Sequence, residues 1–117
     1  MELVSPNVMK SNGSVESFNR DKVLRSLRLA CQKRPVALDT ITDFAAQLET
    51  RVAQAPNRLV ESKIIGDMIL QFLLELDPVA YVRYASVYRD FKDPSDFAHF
   101  IERYALEVEE GNKTDPE

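Results

Sequence analysis

The sequence has one cysteine, one histidine, no tryptophan and three glycines among 117 residues. Each scarcity closes a class of chemistry. A lone cysteine, Cys31, forms no disulfide within the chain. With His99 as the sole imidazole, there is no Cys/His ligand set for zinc. Cys31 falls on an apolar-periodic stretch and reads as a small core filler. His99 has no serine or cysteine constellation beside it and reads as a surface residue. The glycines form neither G-x-x-x-x-G-K-[ST] nor G-x-G-x-x-G, so a glycine-rich phosphate cradle is excluded. No apolar run approaches the roughly 20 residues that span a bilayer. The N-terminus lacks the basic-then-apolar order of a signal peptide. The expectation is a cytoplasmic protein with no membrane partner.

The length fits one domain around one core. A net charge of −4 argues against this chain holding duplex DNA alone, because such binding rests on phosphate neutralisation. The charge is unevenly spread. Residues 20–34 hold Arg20, Lys22, Arg25, Arg28, Lys33 and Arg34 against Asp21 alone, whereas residues 90–117 hold nine acids against three bases. Two readings stay open: a charged helix face, or a compact anion site with a solvated acidic end elsewhere.

Residues 7–18 read as a hairpin of Asn7 to Lys10 and Ser14 to Phe18. Asn12-Gly13 supplies a two-residue turn with both central residues at positive φ. Asn19 suits the N-cap of a first helix over Arg20 to Lys33, whose Val23, Leu24, Leu27, Ala30 and Cys31 face inward until Pro35 stops it. Asp39 or Thr40 opens a second helix, with Ile41, Phe44, Leu48 and Val52 at buried-stripe spacing. Leu59 and Val60 form a short third strand before the cap-like Ser62. A third helix carries Ile65, Met68, Ile69, Phe72, Leu73 and Leu76. Asp77-Pro78 and Asp93-Pro94 each pair a cap with a first-turn proline, and so start a fourth and a fifth helix. The fifth carries Phe97, Phe100, Ile101, Tyr104 and Val108 on one side. The fold class is α+β: a bundle of about four helices capped by a small three-stranded sheet, plus a C-terminal helix. The expected organisation is a domain over 1–92, a packed helix over 93–109 and a disordered tail over 110–117.

Arg20 and Lys22 in the first turn of helix one oppose the helix macrodipole. A bound anion reverses that penalty, since the helix start offers free N–H groups and Lys22 adds a point charge. Lys10, on an edge strand entering the hairpin, converges on the same spot. Glu16 on the returning strand either neutralises the lysines or accepts a hydrogen bond from an exocyclic amine, which adenine has and guanine lacks at that position. Phe18 offers a ring face to a base, or is a plain core phenylalanine; both readings stand. Asp21 is the only acid beside the cluster, without a second carboxylate to hold a catalytic metal. That favours a sensor over an enzyme.

Val8, Lys10, Gly13, Glu16, Phe18 and Lys22 stand in register with the pattern V-x-K-R-x-G-x-x-E-x-[FI]-x-x-x-K, and so resemble the ATP-cone family of nucleotide-sensing regulatory domains. Ser11 replaces the second basic residue. "KRPV" (Lys33 to Val36) and "VAYVRYASVYRDF" (Val79 to Phe91) are similar to the NrdR family, bacterial transcriptional repressors of ribonucleotide reductase genes. The resemblance covers about residues 2–108. Members of that family carry an N-terminal zinc ribbon that contacts DNA. Its four cysteines are missing here, so the chain is either an isolated cone or a ribbon-less relative.

The resemblance implies a non-catalytic domain that binds ATP and dATP between sheet and bundle and changes its homo-oligomeric state with the nucleotide. Magnesium can accompany the phosphates, no zinc is held, and DNA is reached only through the absent ribbon. By motif position Val8, Lys10, Glu16 and Lys22 line the site, with the lysines on phosphates and Glu16 near adenine. Ser62 matches a helix cap that approaches base or sugar. Lys33, Arg34, Arg83 and Tyr88 are weaker choices; Arg83 equally suits a salt bridge, and Tyr88 a core position with a bonded hydroxyl. Two other readings are kept: an allosteric cone of a ribonucleotide reductase, and a helical protein-interaction domain with no ligand.

Overall fold

The computed structural model describes residues 6–89 and 93–114, and all of their side chains but those of 97 and 107–114. Short strands β1 (Asn7–Met9) and β2 (Val15–Ser17) lead into helix α1 (Arg20–Ala30). Helix α2 (Leu38–Gln54) follows, then a 3-10 turn over Pro56–Arg58 and strand β3 (Leu59–Glu61). Helices α3 (Ser62–Leu76), α4 (Pro78–Tyr88) and α5 (Pro94–Thr114) complete the chain. This is the expected α+β architecture, with a small three-stranded sheet beside helices. Two compact units divide the chain, Met1–Ala85 and Ser86–Glu117.

The sheet order is β2-β1-β3. β1 pairs antiparallel with β2 and parallel with β3. Lys10 therefore follows the central strand, not an edge strand. The parallel pair needs a long crossover, and α1 and α2 supply it. The hairpin pattern alone gave no sight of that crossover.

The turn also departs from expectation. Lys10 accepts from the Gly13 N–H at 2.9 Å and donates its own N–H to Ser14 at 2.7 Å, which encloses a three-residue loop. Gly13 has φ +91°, while Asn12 is not among the residues of positive φ. The geometry is that of a tight turn followed by a left-handed glycine, the three-residue alternative to the two-residue hairpin. Asn12 serves it differently: its side-chain oxygen accepts from the Ser14 N–H at 3.0 Å.

α1 starts as expected, with the Asn19 side chain accepting from the Lys22 N–H at 3.0 Å. It ends at Ala30 rather than Lys33. Arg83 Nη1 donates to the carbonyls of Ala30 (3.1 Å) and Gln32 (2.7 Å), and so takes up two acceptors left at the helix end. Lys33 then turns the chain at φ +62°. α2 begins at Leu38 behind Ala37, without a side-chain cap, and α3 begins at Ser62 itself behind Glu61, also uncapped. Ser62 is thus the first helical residue and not the cap.

The core of the first unit is built from buried residues of α1, α2, α3 and the first part of α4. Leu27, Leu48, Leu73 and Val52 are its largest fully buried side chains. Phe44 of α2 stacks on Phe72 of α3, with ring centroids 4.0 Å apart. Cys31 is buried, and burial, then the nearby Asp77 charge, push its thiol up against the opposing pull of Arg83. Asp77 caps α4, accepting from the Ala80 N–H at 3.0 Å.

In the second unit Asp93 caps α5 in the same manner, with bonds from the N–H groups of Ser95 (2.8 Å) and Asp96 (3.2 Å). The Arg89 guanidinium lies 5.7 Å from the Phe100 ring centroid. α5 runs on to Thr114, past the expected start of the tail at residue 110, because no proline interrupts it before Pro116. Asp90, Phe91 and Lys92, the side chains of Phe97 and Val108, and residues 115–117 lie outside the described residues.

Candidate functional site

Val8 is the Cα partner of Glu16 on β2 and of Val60 on β3. Directly opposed residues share a sheet face, so Val60, Val8 and Glu16 form one row across all three strands. Lys10, two residues beyond Val8, continues on the same side. Its ammonium lies 3.6 Å from a Glu16 carboxylate oxygen, with both side chains nearly half exposed. Glu16 therefore neutralises Lys10 in the structure.

Phe18, two residues beyond Glu16, is half-buried, and its N–H donates to the Pro6 carbonyl at 2.9 Å. That bond carries the hairpin pairing to the edge of α1 and fixes where the helix begins. A cleft of about 370 Å³ opens here, lined by Ser17, Phe18, Asn19, Arg20, Asp21 and Leu24. Its size lies within the range of small-ligand sites. The Asn19 side chain takes only the Lys22 N–H, and the other first-turn N–H groups have no partner within the helix.

The first-turn cations differ. Arg20 Nε and Nη2 lie 2.8 and 2.7 Å from the same Glu49 oxygen on α2. Arg20 thus has a local counter-charge. Lys22 is exposed and has no carboxylate partner among the described residues. Sequence reasoning included Arg20 in the basic cluster but missed Glu49. Nothing in the sequence marks a pair of residues 29 apart.

The weaker candidates lie elsewhere. Arg34 Nε sits 3.0 Å from Asp77 Oδ1 and Oδ2, and ties the loop after α1 to the start of α4. Arg83 holds the end of α1 through the backbone carbonyls of Ala30 and Gln32. Lys33 lies exposed in the same loop. Ser62 is half-buried at the start of α3, two residues beyond Val60 in the sheet row. Tyr88 belongs to the second unit. The structure thus brings Val8, Lys10 and Glu16 together, sets Phe18 and Lys22 at the adjoining helix start, and places Arg34 and Arg83 at the opposite end of α1.

A second cleft of about 270 Å³ lies between α2 and α3, lined by Phe44, Leu48, Met68 and Phe72 with Arg51 and Glu75. It has one cation and one acid, a poor match for a polyanion. Among the described residues no Cys, His, Asp and Glu group could hold a metal ion, and no helix is long and apolar enough to cross a membrane.

A three-stranded sheet whose central strand leads into Lys10 thus stands beside a helix that carries Lys22 in its first turn. A family model described as the ATP cone domain matches residues 6–94, and the chain belongs to that family. Its curated relatives narrow the group to the NrdR repressors. Over 103 residues it is 46% identical to a Hyphomonas neptunium protein named transcriptional repressor NrdR, covering 88% of this chain and 65% of the relative. A Psychrobacter cryohalolentis protein of the same name is 45% identical over 97 residues, 83% of this chain and 64% of the relative. One from Ligilactobacillus salivarius is 42% identical over 108 residues, 92% of this chain and 68% of the relative. The chain spans about two thirds of the length of these relatives.

Proposed function

We propose that this chain is the nucleotide-sensing domain of a transcriptional repressor of ribonucleotide reductase genes, that it binds ATP and dATP, and that the bound nucleotide sets its assembly state without being hydrolysed. The observation that carries this reading is the junction of the Val60–Val8–Glu16 row with the start of α1. In this reading Lys10 and Lys22 hold the phosphates, and the start of α1 adds first-turn N–H groups that Asn19 leaves open. Charge-assisted bonds from lysine and the positive helix end both favour a multiply charged anion. Val8 and Val60 give the base an apolar floor, Phe18 a ring, and Glu16 an acceptor for the amine of adenine. Ser62 stands at the margin of the row, within the part of the fold where a sugar would lie.

The relatives' names, those of transcriptional repressors, support a non-catalytic role. Asp21 is the one carboxylate lining the cleft. Glu16 and Glu49 already serve Lys10 and Arg20. A hydrolase needs a base or metal ligands set against the phosphates, and none is arranged here among the described residues. Magnesium, when present, would travel with the nucleotide. The relatives' names supply the repressor role, and their extra length is where contact with DNA would reside. A cytoplasmic setting accords with both.

Thermal unfolding with ATP, dATP and GTP tests the reading. A ligand at a hundred times its Kd stabilises by about 2.7 kcal/mol, a Tm rise on the order of 10 °C for a domain this size. ATP and dATP should raise Tm and GTP should not. Lys22→Ala should cut the ATP shift strongly, since a hydrogen bond to a charged group contributes about 1.5–3 kcal/mol. Glu16→Ala should erase the preference for adenine. Equal shifts with all three nucleotides, or none with any, contradict the proposal.

A further inference from the structure

Asn12 and Gly13 stand exposed in the hairpin loop. The Asn12 side-chain oxygen accepts two hydrogen bonds, from the Ser14 N–H at 3.0 Å and from the Ser14 hydroxyl at 2.7 Å. Two donors on one carboxamide oxygen draw electrons from Asn12 Cγ and make that carbon a better electrophile. The next backbone nitrogen along the chain is that of Gly13, which carries no side chain to crowd it, and the space where a Cβ would stand is open to 4 Å. The other asparagines differ. Asn7, Asn19, Asn57 and Asn112 precede Val8, Arg20, Arg58 and Lys113, whose side chains hinder the equivalent nitrogen.

We propose that Asn12 is a site of intramolecular deamidation, promoted by Ser14. A solvent base removes the Gly13 amide proton, and the nitrogen pair forms a bond to Asn12 Cγ. Negative charge gathers on Asn12 Oδ1, where the two Ser14 donors already point, as the donors of an oxyanion hole do. The intermediate collapses, and the side-chain nitrogen takes up one proton from water and departs as ammonia. Water then opens the cyclic imide that remains. Attack at the side-chain carbonyl gives aspartate, and attack at the backbone carbonyl gives isoaspartate, whose main chain runs through the former side chain. No oxidant, reductant or metal takes part. One bond acts as a brake: the Gly13 N–H donates to the Lys10 carbonyl at 2.9 Å and must leave it first. Glycine's conformational freedom eases that step. Isoaspartate adds a negative charge and a backbone methylene to a loop closed by the Lys10 N–H on the Ser14 carbonyl at 2.7 Å, and the longer loop no longer fits that closure.

Timed incubation of the whole folded chain in heavy-oxygen water at mildly alkaline pH, followed by peptide mapping with mass spectrometry, tests this. Wild type, Ser14→Ala and Ser14→Thr are compared, with thermal unfolding to verify that each is folded. Asn12 should convert ahead of the other asparagines, with isoaspartate the larger product and one heavy oxygen gained per conversion. Ser14→Ala should slow the reaction about fivefold, the scale of one hydrogen bond lost from the transition state. Ser14→Thr, which keeps the hydroxyl, should restore the rate. A hydroxyl that merely holds the loop shut predicts the opposite sign, with faster conversion in Ser14→Ala. Unchanged or faster conversion in that variant, or an Asn12 that stays intact in the wild type, overturns the inference.

Discussion

Arg34 holds Asp77 with its Nε 3.0 Å from each carboxylate oxygen, across 43 residues of sequence. Asp77 is 4% exposed and caps α4 at the same time, so one side chain fixes the loop after α1 to the α3–α4 junction. Burial pushes its pKa up, but bonds from the Ala80 N–H, Arg34 and the Val79 N–H, with the Arg34 charge, outweigh it and leave the carboxyl below its ordinary value. A depressed folded-state value makes the contribution complete above the unfolded-state pKa of about 3.9 and lost as pH falls through the folded value. Asp77→Ala should therefore destabilise by about 3 kcal/mol at pH 7, since it strands a partly buried guanidinium and removes a cap. Urea unfolding should show the difference shrinking as the pH falls below the ordinary carboxylate range; a gap that holds constant down to acid pH refutes the role.

Gly13 stands at φ +91°, and a methyl group placed on its Cα would meet nothing within 4 Å. Space is therefore free, and only backbone strain opposes a side chain. Gly13→Ala should cost about 1–2 kcal/mol, the penalty of a left-handed alanine, and should weaken ATP binding by displacing Lys10 and Glu16, which flank the loop. Gly13→Asn should be milder, because asparagine tolerates this region. Equilibrium unfolding of the two variants checks the order; equal losses would place the effect in crowding instead of strain.

Much of this was legible beforehand, for reasons that differ by element. Asn19, Asp77 and Asp93 each act through the N–H groups two or three residues on, so their caps are local facts that a sequence carries on its face. Ile41, Leu48 and Val52 reveal their helix by spacing alone. The motif residues Val8, Lys10 and Glu16 share one sheet face because strand alternation and the hairpin force it. What the chain concealed was non-local. Glu49 and Asp77 each answer an arginine far away in sequence, and neither the parallel β1–β3 pairing nor the helix-ending bonds of Arg83 follow from any neighbour's identity. Local cues were also mistaken where two geometries share a signature: Asn-Gly serves both two- and three-residue turns, and Ser62 before an apolar run suits either a cap or a first helical residue.

The assembly state is expected to follow the nucleotide. Discriminating ATP from dATP means sensing one hydroxyl, and a site that hydrogen-bonds that group rejects its absence far better than size alone excludes it. Light scattering of the chain with ATP alone and with dATP added should give two different masses. Lys22→Ala should give one mass under both conditions. A single unchanged monomer in the wild type contradicts the regulatory part of the account.

The most direct measurement is a crystal structure of the chain saturated with ATP. Phosphate oxygens should lie about 2.7–2.9 Å from the ammonium groups of Lys10 and Lys22, with the Lys10–Glu16 contact opened and the adenine over the Val8 row. A cleft left vacant at saturating nucleotide, or a triphosphate seated on another face, would contradict the claim that this strand end and helix start were built for a polyphosphate.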